Sequence, residues 1–312
     1  MKYKKIIKSL LLVALVSTVL SCNKDEVFER EQYKNVIALL SDDGFNIFSE
    51  EIDLSEESPN GYISASCGGA LPITEPVQIE IIEDKNLIDA YNLSNFDTEA
   101  ERYAIYLDKD RYNIDNSEII IPAGERGGRM KIQLNVLGLS PDSTYLIPFK
   151  ANTISAYEMN IEKSTILYRI FLKNYYASTK SGYTYYNHKG VKDGISTMLQ
   201  KPVFPVAKNE VRTFAGIKQF QSEEKLINQW SIKLVVGEDN KVTILPWNTS
   251  QYGIKINQID DDPLYPNIFF IEDTGYKTFK TFLLRYDYVD PDDKKTYRMQ
   301  EELRLEFNER EE

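Results

Sequence analysis

Histidine is almost missing from these 312 residues: His188 is the only one. A histidine-built zinc site is therefore excluded, and no Gly-x-Ser-x-Gly or phosphate-loop pattern offers another familiar catalytic centre. Cysteine is nearly absent too, with Cys22 and Cys67 alone. No apolar run approaches the roughly 20 residues that a membrane-spanning helix needs. Positive charge is in deficit, since 37 Lys and Arg face 48 Asp and Glu for a net −11. Such a balance repels nucleic acid and anionic membrane surfaces and leaves neutral ligands open. No cofactor, metal site or catalytic residue is expected. What the chain has in quantity is aromatic: 21 Tyr and 14 Phe, which with many Ile, Val and Thr favour strands over helices.

The amino terminus carries the sharpest signal. Lys2, Lys4, Lys5 and Lys8 precede an apolar run over residues 9–20, too short to span a bilayer and of signal-peptide length. Val19-Leu20-Ser21-Cys22 resembles a bacterial lipobox. The resemblance implies removal of residues 1–21 and acylation of the Cys22 sulfur and amine. Several acyl chains, at about 0.8 kcal/mol per buried methylene, hold a protein to a membrane almost permanently. Asn23-Lys24-Asp25-Glu26 resembles the surface-export signal of Bacteroidetes lipoproteins. Cleavage removes four lysines and no acid, taking the net charge from −11 to −15. It also leaves Cys67 without a disulfide partner in the chain.

Residues 22–32 are charged, lack a hydrophobic pattern and read as a tether. Strands begin at Tyr33. Arg129-Met130-Lys131-Ile132-Gln133-Leu134-Asn135-Val136 alternates polar and apolar without a fault, predicting a strand with one wet face. The clearest helix candidate covers residues 84–92, where Leu87 and Tyr91 share a face. Leu139-Ser140-Pro141-Asp142-Ser143-Thr144-Tyr145 resembles the tyrosine corner of immunoglobulin-like sandwiches. Asp142-Ser143-Thr144 also resembles the O-glycosylation acceptor of Bacteroidetes exported proteins, on a corner expected to be exposed.

Three segments in order, Leu87-Ile88-Asp89-Ala90-Tyr91-Asn92, Ile119-Ile120-Ile121-Pro122-Ala123-Gly124-Glu125 and the Leu-x-Pro corner, together resemble one N-terminal domain. It belongs to two-domain Bacteroidetes outer-membrane surface lipoproteins of starch-utilisation-type polysaccharide uptake systems. The resemblance implies an immunoglobulin-like β-sandwich over residues 33–176, acting as stalk or spacer. It further implies partners: an extracellular polysaccharide or oligosaccharide, a porin, and glycan-binding lipoproteins of the same system. The implied location is the outer membrane, lipid-anchored and facing outward.

Ala177-Ser178-Thr179-Lys180-Ser181 reads as a hinge of small and polar residues. Residues 177–312 then form a series of hairpins, 229–236 with 241–247 and 278–289 with 296–307. The expected fold is all-β: the sandwich followed by an antiparallel up-and-down β-barrel, with a jelly roll as the alternative. Trp230 alternates with Ile232 and Leu234 and belongs to a core face. Trp247 follows Pro246 at a strand end and precedes a polar loop. An indole there packs against a pyranose ring, or plugs the barrel end. Trp247, Tyr252 and Tyr265, with Asn248 and Gln251 as hydrogen-bonding partners, are therefore the candidate glycan contacts. Tyr183 and Tyr185 share a strand face while Tyr186 takes the other. His188 reads as a solvated turn residue, and Asp260-Asp261-Asp262 as a solvated acidic loop without EF-hand spacing.

Three functions compete at this stage. The first is a non-catalytic surface glycan binder. The second is a structural or adhesive protein, such as a pilus-associated or scaffold subunit, with protein partners. The third is a glycoside hydrolase, which needs two carboxylates about 5 to 10 Å apart that nothing in the sequence marks.

Overall fold

The structure, a computed structural model, describes residues 33–42 and 44–307. The signal segment (1–21), Cys22 and the tether (22–32) lie outside the described residues. The first unit contains β1 (Val36–Leu39), β2 (Ile47–Asp53), β3 (Asn60–Gly68), β4 (Val77–Glu83), β5 (Ile105–Tyr106) and β6 (Tyr112–Asn113). It continues through β7 (Glu118–Ile121), β8 (Gly127–Leu134), β9 (Tyr145–Ile154), β10 (Glu158–Met159) and β11 (Thr165–Lys173). One sheet runs β10-β1-β3-β8-β6 and the other β2-β11-β9-β4-β7, with β5 beside β9. Ile63, Ile79, Ile132, Ile147 and Ile166, all buried, fill the space between them, as inward residues of an alternating strand must.

The first helix, α1 (Asn86–Phe96), starts where Asp84 Oδ1 accepts the Asn86 N–H at 3.2 Å. Its Ile88 and Tyr91 cover the outer face of the second sheet at Leu146 and Leu167. Buried Asn92 holds the following loop by exchanging two hydrogen bonds with the Ala104 backbone, 2.8 and 2.9 Å. The tyrosine corner forms as the sequence predicts: the Tyr145 hydroxyl accepts the Ser140 N–H at 3.1 Å.

The second unit contains β12 (Thr184–Lys192), β13 (Ile195–Ala207), β14 (Glu210–Phe214), α2 (Glu224–Trp230), β15 (Ser231–Val236) and β16 (Val242–Pro246). Then come β17 (Lys255–Gln258), β18 (Ile268–Asp273), β19 (Thr278–Val289) and β20 (Thr296–Phe307). One antiparallel sheet runs β16-β15-β14-β13-β12-β20-β19-β17, with β18 also on β19. The last strand thus pairs with the first, as in an up-and-down barrel. Across the remaining seam Ile244 N–H donates to the Gln258 side chain and Val242 N–H to the Asn267 carbonyl, both at 2.7 Å. The result is a nearly closed barrel and not a jelly roll.

Two local expectations change here. Trp230 is buried as expected, but it is the last residue of α2, and the strand begins only at Ser231. His188 is fully buried in the middle of β12 and points into the barrel, not into solvent. Its Nδ1 lies 3.0 Å from a Glu301 oxygen that also accepts from Lys201 Nζ at 2.8 Å. The Tyr286 hydroxyl donates to the other Glu301 oxygen at 2.7 Å and accepts the Gly216 N–H at 2.8 Å. Gly216 is required there: its φ is +57°, and a Cβ would stand 2.4 Å from the Tyr288 hydroxyl. Burial by itself raises the Glu301 carboxyl, but the Lys201 charge and the contacts from His188 outweigh it and hold Glu301 down to about 2.

Candidate functional site

The strands that meet between the two units are read most directly from where alternation fails. Residues 201–205 of β13 and 211–214 of β14 are buried on both faces, so something covers the outer one. That cover is shared between Tyr183 and Phe220 of the barrel, which pack on Phe204 at 5.3 and 5.0 Å, and the tyrosine corner of the sandwich. Asp142 accepts two parallel hydrogen bonds from the Arg212 guanidinium, at 2.5 and 2.6 Å. The guanidinium stacks over Phe204 at 4.5 Å and lies 5.2 Å from Trp247. Asp142 is therefore part of the inter-domain contact, while the corner that carries it stays open to solvent, with Asp142 and Thr144 exposed as the sequence predicts.

Residues 177–181, read from the sequence as a hinge, are tied down on both sides. The buried Asn174 amide donates to the Ala207 and Glu210 carbonyls, at 2.7 and 2.9 Å, while its oxygen accepts from Tyr176 and Ala177 N–H. Ser178 Oγ donates to Glu51 at 2.6 Å, Lys180 Nζ to the other Glu51 oxygen at 3.1 Å, and Leu172 N–H to Thr179 Oγ1 at 2.9 Å. Burial pushes the Glu51 carboxyl up. Hydrogen bonds from Ser178 and Lys180, with the charges of Lys180 and Lys173, outweigh it and hold Glu51 below the usual carboxylate range.

Beside this linker a groove of about 600 Å³ opens between the units. β2 supplies Glu51 and Asp53, two residues apart and so on one face. β11 ends at Lys173, the β13–β14 turn brings Lys208, and the linker and β19 bring Tyr175 and Lys280. The Tyr175 ring is 47% exposed, packs edge-on against Tyr176 at 5.4 Å and takes Lys280 Nζ at 4.2 Å from its centre. Lys280 Nζ also donates to the Tyr175 carbonyl at 2.6 Å. An aromatic face beside polar and charged groups, in a groove of this size, is fitted to bind a small or extended polar ligand. A smaller groove of about 280 Å³ also lies at the junction, where Ser143 and Thr144 line it together with Tyr183, Phe204 and Phe220. Tyr183 and Tyr185 stack edge to face at 4.8 Å there and share a hydrogen bond of 2.9 Å.

None of the five glycan candidates lines either groove. Trp247 is half-buried against the barrel core and Arg212. Asn248 turns its side chain to the Ser250 N–H at 2.9 Å, and Gln251 and Tyr252 are exposed beyond it. Tyr265 is half-buried in a turn organised by Asp262, which accepts the Leu264 and Tyr265 N–H groups at 2.8 and 3.0 Å. Asp262 itself is buried and paired with Arg285, so the acidic run is only partly solvated. The groove residues Glu51, Lys173, Tyr175 and Lys208 were not singled out by sequence reasoning. The available signal was the doubly buried stretch of β13, whose Pro-Val-Phe-Pro run breaks strand alternation.

The fold and the junction define a two-domain β protein, a sandwich followed by a nearly closed barrel. A family model of an N-terminal domain matches residues 33–158 and a family model of a C-terminal domain matches residues 164–304, so the chain carries one domain of each kind in that order. No curated protein matches it. Among solved structures, a protein of unknown function from Bacteroides ovatus is similar at 14% identity and a TM-score of 0.62, covering 87% of this chain and 94% of that one. A multidomain protein including DUF1735, also from Bacteroides ovatus, is similar at 14% identity and a TM-score of 0.61, covering 88% and 95%. An auxiliary nutrient binding protein from Bacteroides thetaiotaomicron is similar at 14% identity and a TM-score of 0.56, covering 83% and 90%. The shared fold extends over both domains.

Proposed function

We propose that the protein is a non-catalytic binder of extracellular polysaccharide or oligosaccharide, held at the outer face of the outer membrane by acylated Cys22 and serving an uptake system with a porin. The observation that carries the reading is the inter-domain groove, where a half-exposed tyrosine stands among carboxylate, amide and ammonium groups. Pyranose C–H faces pack on such rings while hydroxyls take the polar partners. The likeness to a nutrient-binding protein supports it at the level of the fold. Glu51 and Asp53 share the groove, yet a glycosidase needs one carboxyl raised to act as an acid. Glu51 is lowered, which favours holding a ligand over cleaving it.

A second surface is favoured by its exposure: Tyr252, 68% exposed, with Gln251 and Asn248 beside it. A glycan panel on the chain from Cys22 onward, with Tyr175→Ala and Tyr252→Ala run in parallel, assigns the surface by which variant loses affinity. Retention of affinity in both variants would remove both surfaces. Absence of any glycan affinity, with a protein captured from an outer-membrane fraction, would favour the adhesive reading. Release of reducing ends by the pure protein would make it an enzyme.

A further inference from the structure

We infer that the smaller junction groove is a carbohydrate site of its own, one that seats a neutral pyranose residue of a glycan chain. The inference rests on the binding role proposed above, yet it assigns a different surface from Tyr175 or Tyr252. Four aromatic side chains line this groove: Phe171 from β11 of the sandwich, and Tyr183, Phe204 and Phe220 from the barrel. The three barrel rings pack as one unit, with centres 5.3 Å (Tyr183–Phe204), 5.7 Å (Tyr183–Phe220) and 5.0 Å (Phe204–Phe220) apart. Phe214, fully buried behind them, holds Phe220 at 5.1 Å. The rings are thus fixed before any ligand arrives, which lowers the cost of binding. Tyr185 stacks on Tyr183 and is 48% exposed, so the aromatic surface continues out to solvent.

The polar side of the groove decides the ligand class. Among the residues that line it Asp142 alone is charged, and Arg212 takes both of its oxygens. A charged sugar seated there would give up hydration and meet no free countercharge. Hydroxyls are present instead. Ser143, Thr144 and Ser222 line the groove, and none of these three side chains has a hydrogen-bond partner among the described residues. The Tyr183 hydroxyl accepts from Tyr185 at 2.9 Å and so keeps its own proton for a sugar oxygen. Sugar hydroxyls donate and accept as these groups do, while the C–H face of the ring packs on an aromatic face. A volume of about 280 Å³ lies at the small end of ligand pockets and suits a sugar unit, not a folded partner. Ser143, Thr144 and Phe171 belong to the sandwich and the other lining groups to the barrel. The site therefore needs the domains held together by Asp142 and Arg212, and a bound glycan stabilises that arrangement.

The test uses the chain from Cys22 onward with neutral mannan, dextran and xyloglucan and, as the charged comparison, polygalacturonate. The expected result is binding to at least one neutral polymer, unchanged between low and high salt. It should weaken about tenfold or more in Thr144→Arg/Ser222→Arg, which fills the groove, and several-fold in Tyr183→Phe, which removes one hydroxyl. Thr144 and Ser222 are both exposed, so the arginines stay out of the core, and an unchanged melting temperature confirms that the double variant is folded. Saturating neutral glycan should raise the melting temperature of the wild type and not that of the double variant. Neutral-polymer binding that survives in the double variant would overturn this groove while leaving the binding role intact, and its loss in Tyr175→Ala or Tyr252→Ala would move the seat there. Binding of polygalacturonate alone would overturn the neutral ligand class, again leaving the role. No binding to any polymer would overturn both the site and the role.

Discussion

Glu301 shows what a single residue inside the barrel has to accomplish. Its carboxylate is fully buried and answers Lys201, His188 and Tyr286 at once. Removing one member strands the others without water, so Glu301→Gln is expected to cost about 3–5 kcal/mol, read from the urea midpoint. Replacing both ions, as Lys201→Met with Glu301→Leu, is expected to cost less than the single change, because no uncompensated charge remains. Glu301 is lowered from 4.5 to about 2 in the folded state. Its contribution to stability is therefore full above about pH 4.5 and is lost as pH falls through about 2. Acid unfolding of the wild type should steepen across that window and flatten in the double variant. The sequence hid this cluster. His188 and Lys201 share the β12–β13 hairpin, but Glu301 lies 100 residues beyond Lys201, and only the pairing of β12 with β20 brings it to them.

At the scale of elements, alternation was a reliable guide wherever one sheet face was wet. β8 follows it throughout, and the hairpin of β19 and β20 pairs Thr278 with Phe307 through to Val289 with Thr296, joined by the predicted turn. The tyrosine corner was equally legible, because its fixed spacing is a local requirement. Tyr145→Phe leaves the Ser140 N–H without its partner and is expected to cost about 1–2 kcal/mol, seen as a lower melting temperature of the sandwich. Alternation misled at α2. Residues 229 and 230 continue a strand pattern, yet they close a helical turn because Trp230 reaches the barrel core from there. His188 misled for the same reason: its polar neighbours Asn187 and Lys189 sit on the other face of the strand. A polar residue on an inward face looks like a turn until its partners are known.

For the whole molecule, the junction is what the separate domains cannot supply. Asp142 on the sandwich corner and buried Arg212 on the barrel form a two-point contact, and Glu51 and Asn174 lock the linker beside it. The two domains are expected to unfold in one calorimetric transition. Asp142→Ala strands the Arg212 guanidinium. Because the Asp142 side chain is a quarter exposed, we expect about 2–4 kcal/mol of destabilisation and a split into two transitions. The same change should widen the range of domain orientations seen by small-angle scattering. At the cell, Cys22→Ser is expected to release the protein from the membrane fraction, checked by mass spectrometry of the mature amino terminus.

Local rules read from the chain by itself established the strand-rich class, the sandwich-then-barrel order and the tyrosine corner. Each depends on residues close in sequence or on a period of two. Tertiary structure alone decided that the linker is clamped, that Asp142 serves Arg212, and that residues of both domains line the grooves at the junction. Those outcomes depend on which strand faces meet across the two domains, and a side chain's neighbour across a junction leaves no mark on the residues beside it in the chain.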